Sequence, residues 1–182
     1  TVTTRPLKTN AQRAAVFGAF KYVADPRPGN PEHIRLTDDW AKTNIIQVTI
    51  PQLSSKPISM HKLAAPQYVA WFRAIEKKGL SHLIVSFGGC WVTRFIRGST
   101  STLSGHAWGT AIDINVPWNL GGRQPALVGQ KGSVRELMAF CLDFGLYWGG
   151  WFAKGGVDGM HIECHRLLTA DELAAACLKH GF

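Results

Sequence analysis

Two short stretches of the chain hold the residue types that a hydrolytic metal centre needs. In "STLSGHAWGTAIDIN", residues 101–115, His106 and Asp113 stand on either side of Gly109. From Ala111 the pattern alternates, with Ala111, Asp113 and Asn115 on one face and Ile112, Ile114 and Val116 on the other, which is a strand with one apolar face. A strand anchored by that face is a rigid support from which a carboxylate can be aimed. The stretch "DGMHIECH", residues 158–165, repeats the design, with Met160, Ile162 and Cys164 alternating with His161, Glu163 and His165. If the two strands pair, His161 and Asp113 face one groove. His106, held just before its strand by small residues, then completes a three-ligand set.

Two imidazoles and a carboxylate are donors that zinc accepts, and three protein ligands leave a fourth tetrahedral position for water, whereas calcium or magnesium would want more oxygens. One zinc ion is therefore expected on His106, Asp113 and His161. Asp158, three residues before His161 in the loop leading into the strand, is placed to serve as a general base toward that water. Glu163 is read as orienting a ligand or the peptide, and His165 as a wall residue or unrelated. Each residue alone has a plainer reading. A histidine at a strand end is commonly a hydrogen-bonded structural residue, and a single aspartate can cap a turn or pair with an arginine. The coincidence of two matching strands is what points to a metal. Trp108, Trp118, Trp148 and Trp151 all fall near these motifs, where they either wall a peptide groove or pack in the core. Trp108, Trp148 and Trp151, with Asn115 on the face of Asp113, are assigned here to the groove.

The elements that must position these groups are also legible. "IIQVTI", closed by Pro51, reads as a strand, and "PQYVAWFRAIEKKG" as a helix with Pro66 at its start, Val69, Phe72 and Ile75 at helical spacing and Gly79 as its stop. "LIVSF" reads as a buried strand. Ser133 with Glu136, and Thr169 with Glu172, read as capping boxes for helices ended by Gly145 and Gly181. Helices and strands mix without regular alternation, so the expected class is α+β, a small, mainly antiparallel sheet flanked by helices with zinc in a groove on its open face. The 182 residues suit one domain, in which 1–60 form a structural N-terminal part and 84–165 hold the catalytic motifs.

A net charge of +8 favours an anionic partner. The basic residues (Arg5, Lys8, Arg13, Lys21, Arg73, Lys77, Lys78, Arg94, Arg97) are scattered, with no run of five and no nucleic-acid motif, so nucleic-acid binding is not expected. Cys90, Cys141, Cys164 and Cys177 are widely spaced without a CxxC pair and read as free, buried thiols. No apolar run approaches the roughly 18 residues of a membrane span. Nor is there a basic start followed by an apolar segment and a cleavage site. Synthesis in the cytoplasm without a signal peptide is therefore expected, although a chain beginning at Thr1 has lost its initiator methionine and an upstream module is left open.

Ser104, His106, Gly109, Ala111 and Asp113 fit an SxHxxGxAxD motif, and Asp158 and His161 fit its downstream DxxH partner. In these residues the chain resembles the zinc peptidases of peptidoglycan, a family of D-Ala-D-Ala carboxypeptidases and dipeptidases and of L-Ala-D-Glu endopeptidases found among phage endolysins. More distantly the family shares a fold with lysostaphin and hedgehog domains. The likeness covers mainly Phe87 to Cys164, and the first sixty residues only loosely. It implies zinc on His106, Asp113 and His161, Asp158 as catalytic base, and Ser104 supporting the site from behind. It also implies an arginine beside the zinc for a substrate carboxylate or oxyanion, with Arg94 the first choice and Arg97 the second. Relatives with glutamate as the base carry ExxH. The DxxH found here resembles the endopeptidase-type variants, which implies an L-Ala-D-Glu endopeptidase of the endolysin kind. The alternatives are a D-Ala-D-Ala carboxypeptidase or a non-catalytic, zinc-stabilised wall-binding module. The implied partners are peptidoglycan stem peptides and the anionic bacterial cell wall, met in the periplasm or outside the cell by a monomer.

Overall fold

Capping chemistry sets the start of two helices. In the computed structural model, which describes residues 6–182, the Thr9 side chain accepts the Gln12 N–H while the Gln12 side chain accepts the Thr9 N–H, and Thr169 and Glu172 do the same. Thr1 and Arg5 lie outside the described residues. In chain order the elements are α1 (Asn10–Phe17), β1 (Tyr22–Ala24), β2 (Ile34–Leu36), α2 (Trp40–Asn44), β3 (Ile45–Val48), β4 (Ile58–His61), α3 (Ala65–Lys77), β5 (Phe87–Gly89), β6 (Ala111–Ile114), α4 (Arg135–Met138), β7 (Leu146–Trp148), β8 (His161–Cys164) and α5 (Ala170–Lys179). The fold is α+β, and its antiparallel strands form three small sheets where one was expected: β1–β2, β3–β4 and a four-stranded sheet in the order β5-β6-β8-β7. Among the described residues no helix is long and apolar enough to cross a membrane.

The four-stranded sheet carries the motifs. In β6 and β8 the register sets Asp113 opposite His161, Ile112 opposite Ile162 and Ala111 opposite Glu163. Ile112, Ile114 and Ile162 are fully buried, in the core that residues of α3 also enter. Pro66 lies in the first turn of α3, where its missing N–H costs nothing. The buried stripe of that helix is Tyr68, Trp71, Phe72 and Ile75, so Phe72 and Ile75 lie on the expected apolar face, while Val69 is 42% exposed and Tyr68 takes its place. The Tyr68 hydroxyl gives that position its partners. It lies 3.0 Å from the Thr110 carbonyl and 2.9 Å from that of Ile162, satisfying a buried polar group on the two strands that carry the site.

Two further expectations are corrected. "LIVSF" is no buried strand: residues Ser81–Leu83 form a 3₁₀ turn, Val85 is exposed, and β5 starts only at Phe87. The Val85 and Ser86 N–H groups donate to the Asn115 side chain, which takes the place of a neighbouring strand. The Ser133–Glu136 capping box does not form. The Ser133 hydroxyl accepts the Arg135 N–H instead, and the helix is broken into α4 and a 3₁₀ turn, Cys141–Phe144, closed by Gly145 at φ 69°. Between them Phe140, at φ −134°, turns its ring to within 5.2 Å of the His180 ring, so a tertiary contact outweighs helical continuity. The cysteines are free, three of them buried and Cys177 half-buried. Burial pushes the Cys141 and Cys164 thiols up to about 12, which keeps them protonated and unreactive.

Candidate metal centre

His106 lies in a 3₁₀ turn, Gly105–Trp108, whose first N–H groups are capped by the Ser104 hydroxyl, 3.3 Å from the His106 nitrogen. Ser104 therefore shapes the turn from behind. Gly109 ends it at φ 67°, and a Cβ there would come within 2.9 Å of Ile45, so both backbone conformation and space demand glycine. The turn aims the ring at the sheet. His106 Nδ1 is 2.7 Å from the Cys90 carbonyl, which can only accept, so Nδ1 carries the proton and Nε2 is left as an acceptor. By the same reasoning His161 Nε2, 3.1 Å from Glu163 Oε2, donates to that carboxylate and leaves Nδ1 as an acceptor.

These two acceptor nitrogens and one carboxylate oxygen converge. His106 Nε2 lies 3.2 Å from Asp113 Oδ1 and 3.2 Å from His161 Nδ1, and His161 Nδ1 lies 3.4 Å from Asp113 Oδ1. All three donor atoms fall within 4.8 Å of one another. Three mutually facing acceptors repel unless a proton or a cation lies among them. The donor set, with each imidazole backed by an acceptor that fixes its tautomer, fits a metal ion of zinc's preferences. The electrostatics agree. Burial opposes ionisation of Asp113, yet a proton on the facing nitrogens of His106 and His161, in the place a cation would take, holds its carboxyl well below the usual range. Burial likewise opposes a second proton on His161, but Asp113 and Glu163 favour it up to about 10, the proton lying where a cation otherwise would. The site is built to hold positive charge.

Asp158 stands beside this set without joining it. Its N–H donates to the Gly149 carbonyl and its carbonyl accepts the His161 N–H. A Cβ on Gly149 would strike the Asp158 carbonyl, so the glycine lets this loop close on the sheet. Asp158 Oδ1 is buried with no hydrogen-bond partner. Burial, with a further contribution from the nearby Asp113 charge, raises its carboxyl above the ordinary value against the pull of His161. An unpartnered, partly desolvated carboxylate is what a proton acceptor requires.

A cavity of about 890 Å³ opens over Asp158, His161 and Glu163, with Arg94 on its wall. Arg94 donates to the Phe95 carbonyl, and among the described residues no carboxylate lies within ion-pair distance of it, so its charge is available to a ligand. Arg97 also lines the cavity, but its Nη1 is 2.7 Å from Glu32 Oε2 and 3.2 Å from Asn30 Oδ1. That ion pair engages its charge and leaves Arg94 the freer of the two. Three groove assignments are corrected. Trp108 is buried, donates to the Gly18 carbonyl and packs on Phe20. Trp148 is buried and donates to the Gly159 carbonyl. Asn115 lies beyond the end of β6, at φ 52°, where alternation has stopped; its amide donates to the Leu83 and Gly132 carbonyls. Trp151, 41% exposed, does line the cavity, beside Tyr147 and Phe152. Sequence reasoning missed those two and also Arg13, on α1, which reaches Glu163 at 3.5 Å. The signal for Arg13 was the Thr9–Gln12 capping box, which fixes a helix at that point in the chain.

The fold and site together bring three donors that could hold a metal ion beside a carboxylate with an unpartnered oxygen, on an antiparallel sheet of an α+β protein. Residues 97–164 match the family model described as D-alanyl-D-alanine carboxypeptidase. The matched stretch holds all three converging donors, Asp158 and Glu163, and leaves out Arg94 and Arg13. No match is found among curated proteins or among solved structures.

Proposed function

We propose that this chain is a zinc-dependent peptidase that hydrolyses peptide bonds in the stem peptides of peptidoglycan. The observation that carries the reading is the convergence of His106 Nε2, Asp113 Oδ1 and His161 Nδ1 beside a buried carboxylate oxygen, on Asp158, that has no partner of its own. A zinc ion on those donors supplies Lewis acidity to the scissile carbonyl and lowers the pKa of a water it binds. The rest falls to the chain. Asp158 takes the proton as water attacks and hands it to the leaving nitrogen. Arg94 holds a substrate carboxylate or the developing oxyanion. Glu163 keeps His161 in its tautomer, and Tyr147, Trp151 and Phe152 form the apolar wall along which an extended peptide lies. A structural zinc module has no use for an unpartnered buried carboxylate, which disfavours a purely wall-binding role.

The preferred bond is L-Ala-D-Glu, which the resemblance of the DxxH motif to the endopeptidase-type variants favours, cut by an endolysin-type monomer acting on the wall from the periplasm or outside the cell. The description of the matched family favours a second reading, D-Ala-D-Ala carboxypeptidase activity. Digestion of purified peptidoglycan, with mass spectrometry of the fragments, tests both. Released peptides that begin at D-Glu, with L-Ala left on the glycan strand, support the first, and release of single D-Ala the second. No zinc-dependent release of either kind sinks the peptidase reading.

A further inference from the structure

Arg13 is a charged residue almost wholly buried, with 9% of its side chain exposed, and it lies outside the matched stretch. Its Nη2 lies 3.5 Å from Glu163 Oε2 and its Nη1 donates to the Leu103 carbonyl at 3.4 Å. One guanidinium therefore spans both halves of the metal centre. Leu103 leads into the turn that carries His106, and Glu163 accepts the Nε2–H of His161. Asn10, one turn earlier on the same face of α1, clamps the segment 101–103. Its amide donates to the Ser101 carbonyl and its carbonyl accepts the Leu103 N–H, both at 2.8 Å. Gly105 leaves the space for this bridge, since a Cβ there would come within 3.1 Å of Glu163 Oε2.

A buried ion pair is weak as a source of stability, because desolvation offsets its attraction. This one also leaves Glu163 Oε1 buried without a partner, which a pair selected for stability would not do. Resting on the metal-centre reading above, we propose that Arg13 is a positioning residue for that centre: it holds the Glu163 carboxylate against His161 and ties it to the His106 turn, so that α1 sets how tightly the metal is held. Acceptors behind ligating histidines are worth about 10–100-fold in metal affinity, and Arg13 acts through such an acceptor.

Chelator competition for zinc on the wild-type, Arg13→Met, Arg13→Lys, Glu163→Gln and Arg13→Met/Glu163→Gln chains, with thermal stability of the metal-free chains alongside, tests this. Arg13→Met should weaken zinc binding about tenfold. Arg13→Lys should fall between, because a single ammonium cannot span two acceptors as the planar fork does. Arg13→Met should add little once Glu163 is Gln. An Arg13→Met chain that melts lower but binds zinc like wild type overturns the proposal, leaving a structural ion pair. Should Arg13→Met fail to fold, unchanged zinc affinity in Arg13→Lys overturns it equally. Failure of the metal reading is distinct: a wild-type chain without zinc affinity removes both, whereas zinc lost in His106→Ala but held normally in Arg13→Met removes only the role of Arg13.

Discussion

Asp158 and the three converging donors differ in one property, the presence of partners. His106, Asp113 and His161 are engaged with one another and with Cys90 and Glu163, whereas the Asp158 carboxylate has a buried oxygen engaged with nothing. Metal binding and proton transfer should therefore separate by mutation. Asp158→Asn keeps size and removes the base, and general acid–base catalysis is worth roughly a hundred- to ten-thousandfold. The variant is expected to fold and to bind zinc normally, yet to hydrolyse peptidoglycan at least about a hundredfold more slowly. Near-normal turnover would move the base to another group, and loss of zinc would make Asp158 a ligand. Arg94 is the complementary case. With no carboxylate partner among the described residues, Arg94→Ala leaves no buried charge stranded, so it should spare zinc content and lower kcat/KM. Arg97→Ala, which breaks only the contact with Glu32 and Asn30, should change kcat/KM little. The reverse order of effects would return the anion-binding role to Arg97.

At the scale of elements, the site depends on how strands and turns are pinned. The Tyr68 hydroxyl bridges the Thr110 carbonyl, just before β6, and β8, the Asn115 side chain supports the segment before β5, and α1 clamps the segment 101–103 leading to His106. The far end of the chain is pinned electrostatically. On α5 and just beyond it, Lys179 and His180 lie 2.9 Å and 2.8 Å from Asp143, in the 3₁₀ turn after α4. Partial burial works against the Asp143 charge, but these hydrogen bonds hold its carboxyl below the 3.8 of a free one. A depressed folded-state pKa contributes stability that is fully present above the unfolded value and is lost as pH falls through the folded one. Asp143→Asn should therefore destabilise the chain by up to about 1 kcal/mol at neutral pH. The difference should shrink as pH drops below about 4, read from denaturant midpoints across the acid range. A difference that stays constant with pH would assign the effect to packing rather than charge.

At the scale of the molecule, the charge of +8 is spread over the surface and includes Lys8, Arg94 and Lys154 around the cavity. Such a field attracts a polyanionic wall over distances that salt screens, with a Debye length near 8 Å at physiological ionic strength. Hydrolysis of intact cell wall is expected to fall as salt rises from about 0.05 to 0.5 M, while hydrolysis of a short, soluble stem peptide changes much less. Parallel loss on both substrates would place the salt effect at the site itself rather than in long-range attraction.

Sequence alone determined what depends on local pattern. Alternation put Asp113 and His161 on the polar faces of two strands, spacing put Asp158 in the loop before His161, and a capping box marked the helix at Thr169. Each follows from a period or a hydrogen bond within a few residues. Tertiary structure decided what depends on residues far apart in the chain. Trp108 and Trp148 look like groove walls until Phe20, Gly18 and Gly159 are packed against them, and Arg97 looks like a free cation until Glu32, on another segment, reaches it. Arg13 looks like one more surface charge until α1 docks on residues 101–103 and carries it to Glu163. A side chain's neighbours across the fold set its exposure and its charge partner, and no local pattern encodes them.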